Sequence, residues 1–235
     1  MFYRSQSATE QAHIAFALVF ELSKVETLHV REAIVGHLIH INPDLAKRVA
    51  NGLALPAMPP APLSSAPIKD MAPSAALQLI GRMKDTLAGR CVAILVNDGS
   101  DGKIIAAIKK ATVAGGARVK IVAPKVGGVT LADGSKLPAD GQLAGTPSVL
   151  FDAVAVVLSG KGAEALSSEA AAIDFLRDAF GHLKAIALDS GGQALFKKAG
   201  LIEDDGVVEA ANPTAFIAAA KTRQWNREAS VRTLP

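Results

Sequence analysis

The residues best placed to do chemistry lie in a short turn between a predicted strand and a predicted helix. The strand is the apolar run 184–188, and we expect the helix to begin at Gln193. Many α/β proteins present a nucleophile at such a turn, because small residues there expose the side chain at the edge of the sheet. This turn, called the elbow below, consists of Asp189, Ser190, Gly191 and Gly192.

Ser190 could be a nucleophile, but the sequence offers it no general base, which a serine hydroxyl needs. His182 is the only histidine of the surrounding predicted domain, and it lies at the other end of the strand, about 25 Å away along an extended chain. Leu188 also stands where the G-x-S-x-G pattern has its first glycine. We therefore expect no serine hydrolase. The remaining histidines belong to the N-terminal helices and are His13, His29, His37 and His40.

Two further loops are expected at the same edge of the sheet, because ligands bind at the carboxyl ends of parallel strands. They are 97–102 (NDGSDG) and 159–162 (SGKG). The first lacks the G-x-G-x-x-G and Walker patterns of nucleotide-binding loops, and its Asp98 and Asp101 would repel a phosphate. The pattern favours a turn followed by a helix cap. A flavin or nucleotide site at the strand ends stays open as an alternative.

The sequence predicts neither a reactive thiol nor a metal site. Cys91 opens a predicted strand at the amino edge of the sheet, and a thiol buried among apolar neighbours is unreactive. His37 and His40 lie three residues apart on a predicted helix, but no carboxylate or cysteine partner accompanies them. We interpret them as surface histidines.

The composition favours a compact α/β protein and excludes several other classes. Half of the 235 residues are apolar, and no apolar run approaches the ~18 residues of a membrane span. The N-terminus has no signal-peptide pattern, and a single cysteine suits a reducing cytoplasm, where we expect the protein. The net charge of +3 arises from residues 221–235, which we expect to be a solvated tail. The sequence shows no basic patch, so it does not predict a nucleic-acid partner.

Residues 7–51 are predicted to form three helices. Ser7 and Glu10 form a capping box before the first, and Asn42 with Pro43 begins the third. Such short helices cannot bury all of their apolar side chains against one another. We therefore expect them to pack on a partner through an exposed interaction surface. The residues predicted for this surface are Phe16, Leu18, Phe20, Ile34 and Leu38.

A proline-rich linker, 54–73, separates the helices from the rest of the chain, because such a segment is extended and has no core. The predicted domains are therefore a helical segment 1–53, this linker, and an α/β domain 74–235 that opens with a short helix at 74–84. The linker prolines are Pro56, Pro59, Pro60, Pro62, Pro67 and Pro73.

Beyond the linker, apolar strands alternate with helices, which predicts a doubly wound, mostly parallel sheet covered on both faces. A β-hairpin at 127–140, with Asp133-Gly134 at its turn, is the one predicted irregularity. One long helix is expected at 163–180, and the last helix is expected to run from Pro213 to near Trp225. The predicted strands are 91–96, 118–123, 149–158, 185–188 and 206–210.

Two parts of the chain resemble one family. The segments FYRSQSATEQAHIAFALVFELSKVE and VREAIVGHLIHINPDLAKRVANGLAL closely resemble the last helical segment of large-subunit haem catalases. The linker and the α/β part resemble the C-terminal extension of those catalases. That extension is similar to the class I glutamine-amidotransferase-like superfamily, in its intracellular-protease and deglycase branch, which implies a flavodoxin-like fold.

The resemblance also implies that the elbow has lost its chemistry. Enzymes of that branch have A-I-C-x-G-P-Q at the elbow, and Asp189 stands here at the position of the nucleophilic cysteine. The glutamate that supports the thiolate is not recognisable in 97–102. A carboxylate lacks the soft nucleophilicity of a thiolate and is favourable at a helix N-terminus. We interpret the elbow as vestigial, and a residual hydrolase or deglycase is the alternative.

By the same resemblance, haem belongs to the β-barrel of the parent catalase and this chain has no cofactor of its own. Tyr3, the only tyrosine, lies in the wrong segment to be the haem ligand. We expect the chain to be a C-terminal piece that begins at an introduced Met1 and does not dismutate peroxide. Its expected role is to stabilise the catalase core and the oligomer, and to act as an ATP-independent chaperone-like module. The expected partners are the core, further copies of the chain and unfolded clients.

Overall fold

The computed structural model describes residues 1–63 and 70–232. The described chain forms two compact units, one of Met1–Met83 with Ala229–Pro235 and one of Lys84–Glu228. The described part of the proline-rich segment, 54–63 and 70–73, contains no helix or strand, whereas Pro67 lies outside the described residues. The domain bounds given above remain a prediction. None of the described helices combines the length and the apolar composition that a bilayer span requires.

The first unit contains the three predicted helices, α1 (Ala8–Ser23), α2 (Leu28–Ile41) and α3 (Pro43–Gly52). The capping box is confirmed, since the Ser7 hydroxyl accepts from the Glu10 N–H and the Glu10 carboxylate accepts from the Ser7 N–H. Asn42 caps α3 by accepting from the Leu45 N–H, and Pro43 occupies the first helical position. These local signals were sufficient to fix the helix starts.

The expectation that Leu38 is exposed is wrong. Leu38 is only 6% exposed and packs with Val35 in the core of the helices, and Leu18 is partly buried against the same core. The apolar residues of α2 are not confined to one side of the helix, so their pattern could not show which side faces α3. Packing turned Val35 and Leu38 inward. The apolar residues left exposed on α1 and α2 include Phe16, Phe20, Leu28, Val30, Ile34 and Ile41.

The helix predicted at 74–84 is also wrong, because only one 3-10 turn, Ala75–Leu77, forms there. The backbone groups of this segment bond instead to side chains of the N-terminal residues. The Leu79 and Ile80 N–H groups donate to Glu10 Oε1, each at 2.6 Å. The Ser74 N–H donates to the Ser5 hydroxyl. A helical ladder cannot use N–H groups that are already bonded elsewhere.

The second unit is built on a parallel sheet. The described strands are β1 (Cys91–Val96), β2 (Arg118–Ala123), β3 (Val129–Thr130), β4 (Lys136–Leu137), β5 (Gly141–Gln142), β6 (Ala153–Val157), β7 (Ile186–Leu188) and β8 (Val207–Glu209). Their order in the sheet is β5-β2-β1-β6-β7-β8, and every neighbouring pair is parallel. The predicted hairpin is confirmed as β3 paired with β4, with Gly134 at a φ of 85°.

Helices alternate with these strands, so the predicted flavodoxin-like α/β class is confirmed. The described helices of this unit are α4 (Gly102–Ala114), α5 (Gly160–Leu166), α6 (Ala170–Gly181), α7 (Ser190–Lys198) and α8 (Pro213–Ala220), and α9 (Glu228–Val231) begins at its last residue. Apolar residues of α4 and α8 pack with those of β1 and β6 in one core cluster, while α5 and α6 each contact α7.

Three helix boundaries differ from prediction. The single helix expected at 163–180 is divided at 167–169 into α5 and α6, and α5 starts earlier than expected, because Ser159 caps it by accepting from the Gly162 N–H. Helix α7 begins at Ser190 rather than Gln193, with Asp189 as its N-cap. Helix α8 ends at Ala220, well before Trp225.

The expectation of a solvated C-terminal tail is wrong for its described part. Arg227 is 3% exposed, and its guanidinium forms an ion pair with Asp204 and donates to the carbonyls of Phe180 and Lys184. Arg223 donates to the Asp152 carbonyl. The basic residues that give the chain its net charge are therefore partly structural.

Candidate functional site

The elbow is held by the carboxylate of Asp189. This side chain accepts the Gly192 N–H at 2.7 Å and the Leu158 N–H at 3.0 and 3.1 Å. The first bond caps α7, and the second fastens the elbow to the residue after β6. Asp189 therefore joins two neighbouring strand ends and is occupied by backbone donors.

The two glycines of the elbow are required by close packing. A Cβ on Gly191 would overlap the Leu158 carbonyl oxygen, and one on Gly192 would lie 2.5 Å from that of Val156. The first turn of α7 can therefore pack against β6 only because residues 191 and 192 have no side chain. The small residues that suggested a catalytic elbow have a structural reason.

The structure does not bring a base to Ser190. This residue is exposed and makes no side-chain hydrogen bond with any described residue. His182 follows α6 and precedes β7, whereas Ser190 follows the carboxyl end of β7. Burial raises the pKa of Asp189, although N–H donors from Gly192 and Leu158 oppose that shift. A carboxylate with its oxygens bonded to N–H groups is a poor nucleophile.

We expect Asp189→Ala to lower the free energy of unfolding by about 1–2 kcal/mol, because the helix cap and the bond to Leu158 are both lost. Ser190→Ala, at the neighbouring exposed position, is expected to change it by less than about 0.5 kcal/mol. Urea unfolding followed by the fluorescence of Trp225 measures both. Peptidase, esterase or glyoxal-consuming activity that either substitution abolishes would contradict the structural interpretation.

A cleft of about 880 Å³ opens at the carboxyl ends of β1, β2 and β6. None of the four elbow residues lines it. Its walls come from the loops 97–99, 124–129 and 142–144, and from the segment 159–171. The cleft therefore lies beside β1, where the strand order of the sheet reverses, which is the usual ligand position in open parallel sheets.

A hydrogen-bond network that the sequence analysis missed forms one wall of this cleft. Asn97 Oδ1 accepts from the Ser159 N–H and from the Ser100 hydroxyl, each at 3.1 Å. The Ser100 hydroxyl also contacts the Val157 carbonyl at 2.6 Å, and the Ser159 hydroxyl donates to the Asp98 carbonyl. The available signal was a polar residue directly after each of two apolar strands. The structure thus brings the predicted loops 97–102 and 159–162 together.

The two aspartates of the first loop have structural partners. Asp101 caps α4 by accepting from the Lys103 and Ile104 N–H groups, so the predicted turn and helix cap are confirmed. Asp98 accepts from the Thr130 N–H and lies 4.0 Å from the Lys125 ammonium. Both carboxylates stabilise loops rather than presenting a catalytic pair.

Cys91 is half-buried at the amino end of β1, and burial raises the pKa of its thiol, which disfavours the reactive thiolate. In the described part of the chain, no group of three or more His, Cys, Asp and Glu side chains could hold a metal ion. Tyr3 does not fit the role of a haem ligand. It is buried among the helices, and burial raises the pKa of its phenol, whereas a tyrosinate ligand requires deprotonation.

Comparison with known proteins gives two family matches. Residues 1–53 match the family described as catalase-related immune-responsive, and residues 88–224 match the C-terminal domain found in long catalases. The second match alone covers more than half of the chain.

Individual relatives are similar over nearly the whole chain. Catalase C of Rhizobium meliloti is 42% identical over 98% of this chain and 34% of its own length. Catalase HPII of Pseudomonas aeruginosa is 35% identical, and Catalase-B of Dictyostelium discoideum is 30% identical, each over the full chain. The chain spans about a third of the length of these relatives. It belongs to the family of C-terminal domains found in long catalases.

Proposed function

We propose that this chain is a non-catalytic module of a large-subunit catalase, located in the cytoplasm, that stabilises the catalase core and the oligomer. The dismutation of peroxide by haem would belong to the core. The observation that supports this proposal is the elbow, where Asp189 is bonded to backbone N–H groups and the Ser190 hydroxyl has no hydrogen bond to a base among the described residues. Relatives named as catalases match the chain over its length.

The proposed interaction surface lies on α1 and α2. Phe20 is 52% exposed and stacks on Phe16 with ring centroids 6.3 Å apart, and the Lys24 ammonium lies 4.0 Å from its centroid. Ile34 on α2 is 38% exposed. Clustered exposed apolar side chains of this kind drive association. Leu38 is buried and Leu18 is partly buried, so both would contribute to this surface only by packing in the core beneath it.

The proposal predicts that the chain self-associates through this surface. Phe16→Ser combined with Phe20→Ser is expected to weaken self-association at least about tenfold, because two aromatic contacts of about 1 kcal/mol or more each are lost. Sedimentation velocity over a concentration series measures the change. Ile202→Ser is the matched control, since Ile202 is 81% exposed but lies in the second unit. A monomeric wild-type chain at high concentration, or equal effects of both substitutions, would refute the proposal.

The chaperone-like role is proposed for the same surface, since exposed aromatic side chains can hold unfolded chains. The wild-type chain is expected to suppress the thermal aggregation of a client such as malate dehydrogenase without ATP, and the Phe16/Phe20 variant to suppress it less. Light scattering at stoichiometric excess measures this. An absence of suppression by the wild-type chain would remove the chaperone role and leave the oligomer-support role standing.

A further inference from the structure

The cleft beside β1 has an apolar lining and a limited set of polar groups. Leu143 and Leu166 are almost fully buried at its wall, and Val129 is 5% exposed. Ala144 and Ala165 also line the cleft, and their small side chains leave space for a bound molecule. A cavity of this size with apolar walls binds a compact apolar molecule best when a few polar groups fix its orientation.

Asn97 supplies such a group. It is only 6% exposed and lines the cleft. The Ser159 N–H and the Ser100 hydroxyl both bond to its Oδ1, which fixes the orientation of the amide. Its Nδ2 makes no hydrogen bond with any described residue. This nitrogen is not fully buried, so solvent can reach it. The Asn97 amide N–H groups are therefore available to a molecule in the cleft.

Gly162 makes room for this arrangement. A Cβ at Gly162 would occupy the position of the Asn97 amide nitrogen, so the amide can lie against the chain only because residue 162 is glycine. Because solvent reaches this nitrogen, an acceptor oxygen of a bound molecule can take the place of water as its hydrogen-bond partner.

The charges around the cleft are balanced. Lys125 lies 4.0 Å from Asp98, and both are largely exposed. Lys161 and Glu169 line the cleft without an ion pair to any described residue. This balance gives no strong attraction for a multiply charged group such as a di- or triphosphate. It is compatible with a neutral or singly charged molecule whose oxygen contacts Asn97.

We propose that this cleft is a binding site for a small apolar molecule that carries a carbonyl or carboxylate oxygen, which accepts a hydrogen bond from Asn97 Nδ2. The apolar body of the ligand lies against Leu143, Leu166 and Val129. A carboxylate gains a further contact with the Lys161 ammonium at the rim. The site is separate from the elbow and from the surface of α1 and α2, so it does not depend on the function proposed above.

Benzamide and benzoate are suitable probes, because they share an apolar ring and an acceptor oxygen but differ in charge. We expect at least one of them to cause saturable NMR shifts of the Asn97 side-chain amide and of the Gly99 and Gly162 N–H groups in the full chain. The expected dissociation constant is ~1 mM or tighter. Preference for benzoate would identify the ligand class as a carboxylate, and preference for benzamide as a neutral carbonyl compound.

Two variants test the assigned contacts. Asn97→Asp replaces the free donor by an acceptor of the same shape, and it is expected to weaken binding at least about tenfold. Ala165→Trp places a large side chain at an exposed position of the cleft wall, outside the network, and it is expected to abolish the shifts. Ala106→Trp, at an exposed alanine of α4 away from the cleft, is expected to have no effect.

The proposal would be overturned by three results. One is the absence of saturable shifts with both probes up to their solubility limits. Another is binding that Ala165→Trp leaves unchanged. The third is saturable binding of FMN or AMP at these signals when neither benzamide nor benzoate binds, because the site would then recognise a nucleotide phosphate rather than the proposed class. If Asn97→Asp fails to fold, Ala165→Trp alone decides between the outcomes.

Discussion

Asp204→Ala is expected to lower the free energy of unfolding of the second unit by about 2–4 kcal/mol, because a buried guanidinium loses a carboxylate partner whose side chain is 32% exposed. Its partner, the Arg227 guanidinium, has a fully buried side chain. Arg227 Nη2 lies 2.7 Å from Asp204 Oδ1, and Nη1 donates to the Lys184 carbonyl at 3.0 Å. Without Asp204 the guanidinium would remain buried and would lose this ion pair.

Neighbouring groups hold the Arg227 side chain in its buried position. Its Cζ lies 4.0 Å from the centroid of the Phe180 ring, and a Cβ on Gly206 would lie 2.7 Å from its Nη2. Burial raises the pKa of Asp204, but hydrogen bonding and attraction from Arg227 lower it overall, so the pair is ionised at neutral pH. The ion pair therefore holds the residues around Arg227 in place within the second unit.

Urea unfolding followed by Trp225 fluorescence measures this effect, because Trp225 is the only tryptophan and lies two residues from Arg227. Asp205→Ala is the matched control at an exposed neighbouring carboxylate and is expected to change stability by less than about 0.5 kcal/mol. The double variant Asp204→Ala, Arg227→Met is expected to recover at least half of the loss, since it removes the buried charge. Equal effects at Asp204 and Asp205 would contradict the assignment.

The second large effect is expected at Glu10. This residue is 6% exposed, and its carboxylate accepts from the N–H groups of Ser7, Leu79 and Ile80. Burial alone would raise its pKa, but these backbone donors lower it to about 2. The carboxylate is therefore stabilised in its charged form, and it fastens the segment at 79–80 to the start of α1.

The sign of the pH dependence follows from this shift. A glutamate in an unfolded chain has a pKa of about 4.3, so its folded pKa of about 2 means that the folded state favours the carboxylate. The stabilisation is fully present above about pH 5 and is lost as the pH falls toward 2. Its size is about 2–3 kcal/mol, from the difference between the two pKa values.

Hydrogen exchange at the Leu79 and Ile80 N–H groups provides the measurement, because it reports on this contact rather than on the second unit. Glu10→Gln is expected to reduce their protection about 10- to 100-fold at pH 6. Near pH 2, where Glu10 of the wild type becomes protonated, most of the difference in protection between the two proteins is expected to disappear. Glu21→Gln on the same helix is the control, since Glu21 is largely exposed beside Lys24. A pH-independent difference between wild type and Glu10→Gln would contradict the electrostatic explanation.

Residues close in sequence determined the starts of α1, α3 and α4 and the fold class. Ser7 with Glu10, Asn42 with Pro43, and Asp101 each satisfy backbone N–H groups within three residues, so their effect could be predicted without knowing the rest of the chain. The alternation of apolar strands with helices determined the parallel α/β class in the same way. The family resemblance followed from continuous segments, so it too needed no tertiary information.

The tertiary structure decided those features that depend on contacts between residues far apart in the sequence. The burial of Leu38, the absence of a helix at 74–84 and the order of the C-terminal segment depend on contacts with α3, Glu10 and Asp204 respectively. At the elbow, only the bond from the Leu158 N–H to Asp189 explains why the carboxylate is structural. Likewise the free amide of Asn97 could not be predicted, because the donors that orient it are 3 and 62 residues away. A sequence pattern specifies which backbone groups need partners, but only folding determines which distant groups meet them.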